Sequence, residues 1–167
     1  MEQDVKSVSG RIDLAPANGP EDYAVAGVLF REYAAGLGVD LCFQGFEREL
    51  SNLAEVYGPP RGLLLLARVG GAPAGCAAIR PIADEVCELK RMYVRPLYRG
   101  QAIGQRMLDE LLTAARNAGY RRMRLDTLSH LTTALSLYRR NGFTECGPYY
   151  RNPTPGVVYM DRDIFMR

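Results

Sequence analysis

The chain lacks a charge bias: 21 basic residues against 19 acidic ones leave a formal net charge of +2. Nucleic-acid binders usually carry a clear basic excess, so no nucleic-acid partner is expected. Its four cysteines, Cys42, Cys76, Cys87 and Cys146, include no CxxC pair and no metal-knuckle spacing. That excludes the common cysteine-based metal and redox motifs, and no metal is expected. Buried free thiols in a reducing cytoplasm are the bland reading. No apolar run approaches the roughly 20 residues a bilayer span requires, so no membrane partner is expected. The opening Met1-Glu2-Gln3-Asp4 lacks the basic and apolar regions of a signal peptide, which again points to the cytoplasm. There is no internal repeat and no low-complexity segment.

What is present is an ordinary globular composition. The 167 residues, 47% hydrophobic and 24% charged, suit one domain with a real core. Residues 1–10 read as a flexible N-terminus and 11–167 as the single domain. Arg11 to Leu14 alternates and predicts a short strand, and Ala15 to Pro20 a turn. Glu21 to Ala35 predicts a helix with Val25, Val28, Leu29, Glu32 and Tyr33 at helical spacing, closed by Gly36. Gln44 to Val56 predicts a second helix, with Phe46, Leu50 and Leu53 on one face. Tyr57-Gly58-Pro59-Pro60 stops it.

Strands follow. Leu63 to Val69 is a continuous apolar run, Gly70-Gly71 signals a hairpin turn, and Pro73 to Ile79 pairs back. A turn at Ala83-Asp84 leads to a strand from Val86 to Val94. Gly104 to Ala118 is the clearest helix, with Met107, Leu108, Leu111, Leu112 and Ala115 as its buried stripe and Gly119 as its cap. Arg122 to Thr127 is a strand, Leu131 to Arg140 a helix, and Phe143 to Cys146 and Val157 to Asp163 are the last strands. Hairpins followed by βαβ crossovers predict an α/β (α+β mixed) architecture, a mixed sheet with helices on its faces. Ligands of open sheets tend to lie at strand ends where the pairing changes direction.

Between the strand ending at Val94 and the helix starting near Gly104 lies Arg95-Pro96-Leu97-Tyr98-Arg99-Gly100-Gln101-Ala102-Ile103-Gly104. Proline ends the ladder, and small residues let the backbone turn its amides one way. A helix start adds unpaired N–H groups and positive potential, which together suit a pyrophosphate. Arg99 offers a bidentate contact to it. By itself the string fits a plain strand-to-helix loop as well. It has neither the GxGxxG spacing of a dinucleotide fold nor the GK[ST] of a P-loop.

Joined to its neighbours, the string says more. Glu88-Leu89-Lys90-Arg91-Met92-Tyr93-Val94-Arg95-Pro96, followed by Arg99 to Gly104, resembles the central motif of the GNAT superfamily of N-acetyltransferases. Leu137-Tyr138-Arg139-Arg140-Asn141-Gly142-Phe143 resembles that superfamily's next motif. The resemblance runs from Leu63 to Cys146, roughly half the chain. It implies a single-domain GNAT-like fold, with a central mixed, mostly antiparallel sheet of about six or seven strands flanked by about four helices. It also implies acetyl-CoA as donor, with the pyrophosphate on the amides of Arg99, Gly100, Gln101, Ala102, Ile103 and Gly104. The pantetheine arm would pair like an extra strand with Met92, Tyr93 and Val94. A homodimer, joined through the C-terminal strand, is a further expectation. One position departs from the family pattern: Ala102 stands where a glycine is usual. A positive φ there would cost about 1–2 kcal/mol. Alanine's helix preference leads us to expect a helical conformation.

Amide formation requires a neutral amine. Freeing one with a lysine-like pKa of about 10.4 at neutral pH costs roughly 4–5 kcal/mol, so a general base helps. The resemblance implies Glu88 as that base and Tyr138 as the acid at the coenzyme A sulfur. The other reading of Glu88 is a charge paired to Lys90 or Arg91; that of Tyr138 is a helix tyrosine packed on the sheet. No Ser/His/Asp set is required, because attack is direct. His130, the only histidine, reads as a loop residue. Arg121, Arg122, Arg124, Arg139 and Arg140 read as a solvated face or as contacts to the 3′-phosphate of coenzyme A.

The acceptor is expected between the N-terminal helices and the C-terminal segment. Phe30, Arg31, Tyr33, Phe43 and Gln44 stand on one side, and Tyr149, Tyr150 and Arg151 on the other. From these, Arg31, Tyr33, Phe43 and Tyr149 are the candidate acceptor contacts. An arginine among aromatics suits a small acceptor with a carboxylate. The expected activity is acetyl transfer to a primary amine of a small molecule, amino acid or peptide. A non-catalytic acyl-CoA-binding or regulatory module is the alternative.

Overall fold

Apolar runs punctuated by glycine and proline set most element boundaries in the computed structural model, which describes residues 8–42 and 45–166. β1 (Ile12–Pro16) leads into α1 (Gly19–Leu37) and two short helices, α2 (Phe46–Ser51) and α3 (Leu53–Val56). β2 (Leu63–Val69), β3 (Ala72–Ala83) and β4 (Val86–Val94) form a meander. α4 (Ile103–Asn117), β5 (Arg122–Leu128), α5 (Thr132–Arg140), β6 (Thr144–Glu145) and β7 (Val157–Asp163) complete the chain. The strands make one seven-stranded sheet in the order β1-β2-β3-β4-β5-β7-β6. Only β4 and β5 pair in parallel; the other neighbours are antiparallel. This is the mixed, mostly antiparallel sheet expected from the sequence.

The differences from expectation have local causes. The helix expected over 44–56 is two helices, broken at Asn52 (φ −138°). The Asn52 side chain donates to the Arg48 carbonyl at 2.9 Å, competing with the helix for backbone partners. α1 passes Gly36 and closes at Gly38, whose φ of 65° is the left-handed conformation glycine adopts freely. Its buried face is Ala26, Leu29 and Phe30, while Val28, expected on the stripe, is 53% exposed. β3 runs to Ala83, past the expected end at Ile79, and β6 shrinks to two residues. Cys76 and Cys87, mid-sheet, are buried free thiols as expected; Cys42 is exposed and Cys146 half-buried, because both sit outside the strands.

The sheet has a core on each face. On one, Met107, Leu108, Leu111, Leu112 and Ala115 of α4 pack with Leu135 and Tyr138 of α5 against Leu65, Ala67, Ile79, Leu89, Met123 and Leu125. On the other, Leu29, Phe30, Phe46, Leu53 and Tyr57 cover Leu64, Leu66, Cys76 and Ala78. Side chains alternate across a strand, so Glu88 and Lys90 belong to the second face while Cys87 and Leu89 enter the first.

Two irregularities in β4 shape the region around Glu88. Ala78 pairs with Lys90 and Cys76 with Tyr93, so Ala77 alone faces both Arg91 and Met92. This is a β-bulge, and Arg91 within it has a φ of 58°. Gly75 makes room for it, since a Cβ there would stand 2.6 Å from the Tyr93 carbonyl oxygen. An ion pair buried under α2 holds the bulge. Arg91 Nη2 lies 2.8 Å from Glu49 Oε2, the side chains are only 4% and 9% exposed, and Tyr57 donates its hydroxyl to Glu49. The second irregularity is that β4 meets β5 only from Val86 to Glu88. Beyond Glu88 the two strands part, and among the described residues no strand pairs with β4 on the β5 side after Glu88.

Removing one partner of a buried pair strands the other charge. Arg91→Ala should therefore lower unfolding stability by about 3–5 kcal/mol, measured by urea denaturation. A loss below about 1 kcal/mol would show that the Glu49–Arg91 pair does not hold the bulge.

Candidate active site

The open edge of β4 leads to the loop before α4. A short 3-10 turn at Pro96–Tyr98 buries Tyr98, and the chain then enters Gly100 with φ 80° and Ala102 with φ 59°. Ala102 is therefore left-handed, not helical as expected from alanine's propensity. Tertiary position overrides the propensity and holds alanine in a conformation that glycine adopts freely. α4 starts with no side-chain cap and no acidic residue in its first turn. The Arg106 amide is bonded to the Ala102 carbonyl at 3.1 Å, so the amides of Ile103, Gly104 and Gln105 precede the helix ladder. Arg99 turns back and donates Nε to the Val94 carbonyl at 2.9 Å, and Gln101 donates to the Val8 carbonyl at 3.0 Å. Both side chains are engaged with backbone carbonyls and shape the loop.

Tyr138 comes from α5, on the first face of the sheet. It is 6% exposed and packs edge-on to Phe143 at 5.8 Å. Burial pushes its phenol well above the ordinary tyrosine range, with smaller contributions from Tyr33 and Asp126. Gln105 and Asn141 exchange two amide hydrogen bonds of 2.9 Å and tie the end of α5 to α4.

The second face carries a row of charges. Arg80 on β3 pairs in register with Glu88 on β4, Glu88 with Arg124 on β5, and Arg124 with Asp161 on β7. Glu88, 1% exposed, takes Arg80 Nε at 2.8 Å on one oxygen, with Lys90 Nζ at 3.9 Å, and the Tyr149 hydroxyl at 2.5 Å on the other. Burial, then the Glu88 charge, pushes the Tyr149 phenol far above its usual range. Burial holds the Lys90 ammonium below the usual lysine range, with Glu88 opposing. Tyr149, Tyr150 and Tyr159 cluster with centroids 5.2–6.0 Å apart, and Asp126 accepts from Tyr150 and from Asn152 Nδ2 (2.7 Å). A cavity of about 240 Å³ opens here between Arg80, Glu88, Arg124, Tyr149 and Tyr150.

The predicted residues divide accordingly. Glu88 and Tyr149 are in direct contact, and Tyr33 stands beside the wedge, edge-on to Tyr93 at 6.3 Å. Burial pushes the Tyr33 phenol up to about 12. Arg31 is not with them: it faces solvent in a two-pronged pair with Glu47 at 3.2 and 3.4 Å. Phe43 and Gln44 lie outside the described residues. His130 is exposed in the turn before α5. Of the arginine cluster, Arg121 pairs with Glu85, Arg122 and Arg124 with Asp161, and Arg139 with Glu145. Sequence reasoning missed Arg80, Asp126 and the pairing of Glu49 with Arg91. Alternation marks Arg80 and Arg124 as same-face residues within their own strands, but only register puts them on either side of Glu88.

Comparison with known proteins agrees with this fold. A family model described as the acetyltransferase (GNAT) family matches residues 32–143. An uncharacterized N-acetyltransferase of Schizosaccharomyces pombe is 41% identical over 151 residues, covering 89% of this chain and 93% of that one. The N-alpha-acetyltransferase RimI of Mycobacterium tuberculosis is 34% identical, covering 71% and 72%. An acetyltransferase structure from Streptococcus agalactiae superposes with a TM-score of 0.76 at 20% identity, covering 91% and 98%. The PaiA N-acetyltransferase of Thermoplasma acidophilum, solved with coenzyme A, gives 0.69 at 20% identity, covering 92% and 99%.

Ala102 carries backbone strain that glycine would relieve. Ala102→Gly should raise unfolding stability by about 1 kcal/mol in urea denaturation, the left-handed penalty partly offset by glycine's greater unfolded-state entropy. A drop in stability would contradict the left-handed conformation.

Proposed function

The chain belongs to the GNAT acetyltransferase family, and from that premise we propose that it transfers acetyl from acetyl-CoA to a primary amine of a small molecule, amino acid or peptide by direct attack in a ternary complex. One observation carries the reading: the open edge of β4 leads from Glu88, where β5 diverges, to the uncapped start of α4. The coenzyme A bound by the similarly folded PaiA protein supports it. So do the left-handed Gly100 and Ala102 and the absence of acid in the first turn of α4, which suit a pyrophosphate. In this reading residues 11–167 are the acetyltransferase domain, working in the cytoplasm as a homodimer.

When bound, acetyl-CoA supplies an acetyl group activated as a thioester. The backbone of Arg99, Gly100, Gln101, Ala102, Ile103 and Gly104 holds the pyrophosphate, and the edge of Met92, Tyr93 and Val94 orients the pantetheine arm as an added strand. Tyr33 and Tyr149 line the acceptor side. Both Glu88 oxygens are engaged, so Glu88 acts as base through Tyr149. The Tyr149 hydroxyl passes its proton to Glu88 as it accepts one from the amine. Tyr138 protonates the departing sulfur. Its raised pKa keeps the phenol protonated throughout the neutral range, the state a donor needs.

The engagement of Glu88 also favours a second reading, a non-catalytic acyl-CoA-binding or regulatory module. Thiol release from acetyl-CoA over a panel of amines, amino acids and peptides separates the two. Release above buffer hydrolysis is expected; calorimetric binding of coenzyme A with no release for any acceptor would establish the module instead.

The roles of individual residues are open to kinetics. Tyr138→Phe should lower kcat by about 10²-fold or more, as loss of a general acid does, with little change in acetyl-CoA affinity; an unchanged kcat removes Tyr138 from the mechanism. Glu88→Gln should move the rate profile to higher pH, because the acceptor must then lose its proton to solvent. An identical profile would eliminate Glu88 as base.

A further inference from the structure

The cavity beside Glu88 has a chemistry of its own. Arg124 Nε is buried in it with no hydrogen-bond partner. Its nearest carboxylate oxygen, Asp161 Oδ2, is 3.7 Å away and lies closer to Arg122 Nη1, at 3.1 Å. A buried guanidinium N–H left unpaired is costly; the rest of the Arg124 side chain, 35% exposed, lines the cavity and is open to an acceptor atom from a ligand. Arg80 stands on the other side of Glu88 in the same register row, with 40% of its side chain exposed. Two arginines and one carboxylate line the cavity, and the carboxylate of Asp161 is shared between Arg124 and Arg122. The Tyr149 ring lies under the Arg124 guanidinium at 5.7 Å and, with Tyr150, Ile82 and Val86, supplies apolar surface.

We propose that this cavity binds a carboxylate of the acceptor between Arg124 and Arg80, making the acceptor a small amine that carries a carboxylate, of the amino-acid type. The proposal rests on the acetyl-transfer reading for the reaction but not for the anion site itself. The volume of about 240 Å³ is below the roughly 300–1,000 Å³ of pockets for drug-sized ligands, which favours a small acceptor over a peptide. Glu88 and Tyr149 form part of the same wall. A carboxylate held by the arginines thus keeps the acceptor beside the groups assigned to remove its proton. Arg31, the arginine the sequence suggested for this task, is occupied by Glu47.

Matched acceptors test the idea in the unaltered protein. Alanine, leucine and phenylalanine are each compared with the amine lacking the carboxylate: ethylamine, isoamylamine and phenethylamine. The carboxylate member should show kcat/KM at least about 10-fold higher, the scale of a charge-assisted contact. Arg124→Gln should bring that ratio close to one, and Arg124→Lys should restore only part of it, since lysine lacks the fork. Calorimetry with 3-phenylpropionate, which has the carboxylate but no amine, provides a readout independent of turnover. Binding that weakens at least 10-fold in Arg124→Gln is expected. If no amine is acetylated but 3-phenylpropionate still binds through Arg124, the anion site stands and the transfer reading falls. If the paired amines react equally, or peptides react best, and 3-phenylpropionate does not bind, the anion site is overturned while the transfer reading stands.

Discussion

The parting of β4 from β5 is the constraint on which the rest of the structure depends. A sheet saturates its backbone groups by pairing every edge, yet here the parallel ladder stops at Glu88 and leaves six residues of β4 open on one side. The bulge at Arg91 lies within that open stretch, and a bulge bends its strand and increases its twist. Arg91 in turn is held in a left-handed conformation by a buried bond to Glu49, reinforced by Tyr57. The short helix α2 is therefore more than a cover for the core: it supplies the carboxylate that holds the bulge where the wedge opens.

The wedge has two unlike walls. Toward α4 and α5 it is apolar, with Tyr138 protonated and buried among Phe143, Leu135 and Leu137. Toward α1 and the 149–152 loop it is charged, with Arg80, Glu88, Arg124 and Asp161 alternating in sign across four strands. Alternation lets each buried charge meet an opposite neighbour, which is the condition for keeping charges inside a sheet face. The row also confines Glu88: one of its oxygens is held by Arg80 and the other by Tyr149. Local backbone strain falls at Arg91, within the open edge, and at Ala102, where α4 begins. Strain of this kind persists where surrounding structure over-determines it, and it clusters at binding sites.

Much of the fold was legible along the chain. The stripe of α4, the hairpin at Gly70-Gly71 and the strands at Leu63–Val69, Val86–Val94 and Val157–Asp163 are written in periodicity and turn chemistry, both of which act over a few neighbours. The loop from Arg99 to Gly104 was legible as a strand-to-helix turn for the same reason. Its glycines and its helix start are adjacent in sequence. The break at Asn52 was not, because an asparagine side chain can bond to a carbonyl or to solvent and the sequence does not say which. Nor was the conformation of Ala102, where the turn into α4 imposes a left-handed φ on a residue whose own preference is helical.

The sequence by itself determined most of the elements, their order, the family and the glycine-bearing loop before α4. Each of these depends on spacings within one segment. Only the tertiary structure decided which side chains share the site. It set Arg80 and Arg124 on either side of Glu88, gave Tyr149 to Glu88, and sent Arg31 out to Glu47. Those outcomes depend on strand register and on the angle at which helices cross the sheet. Both are set by packing between residues far apart in the chain, and a single sequence carries no local signal for either.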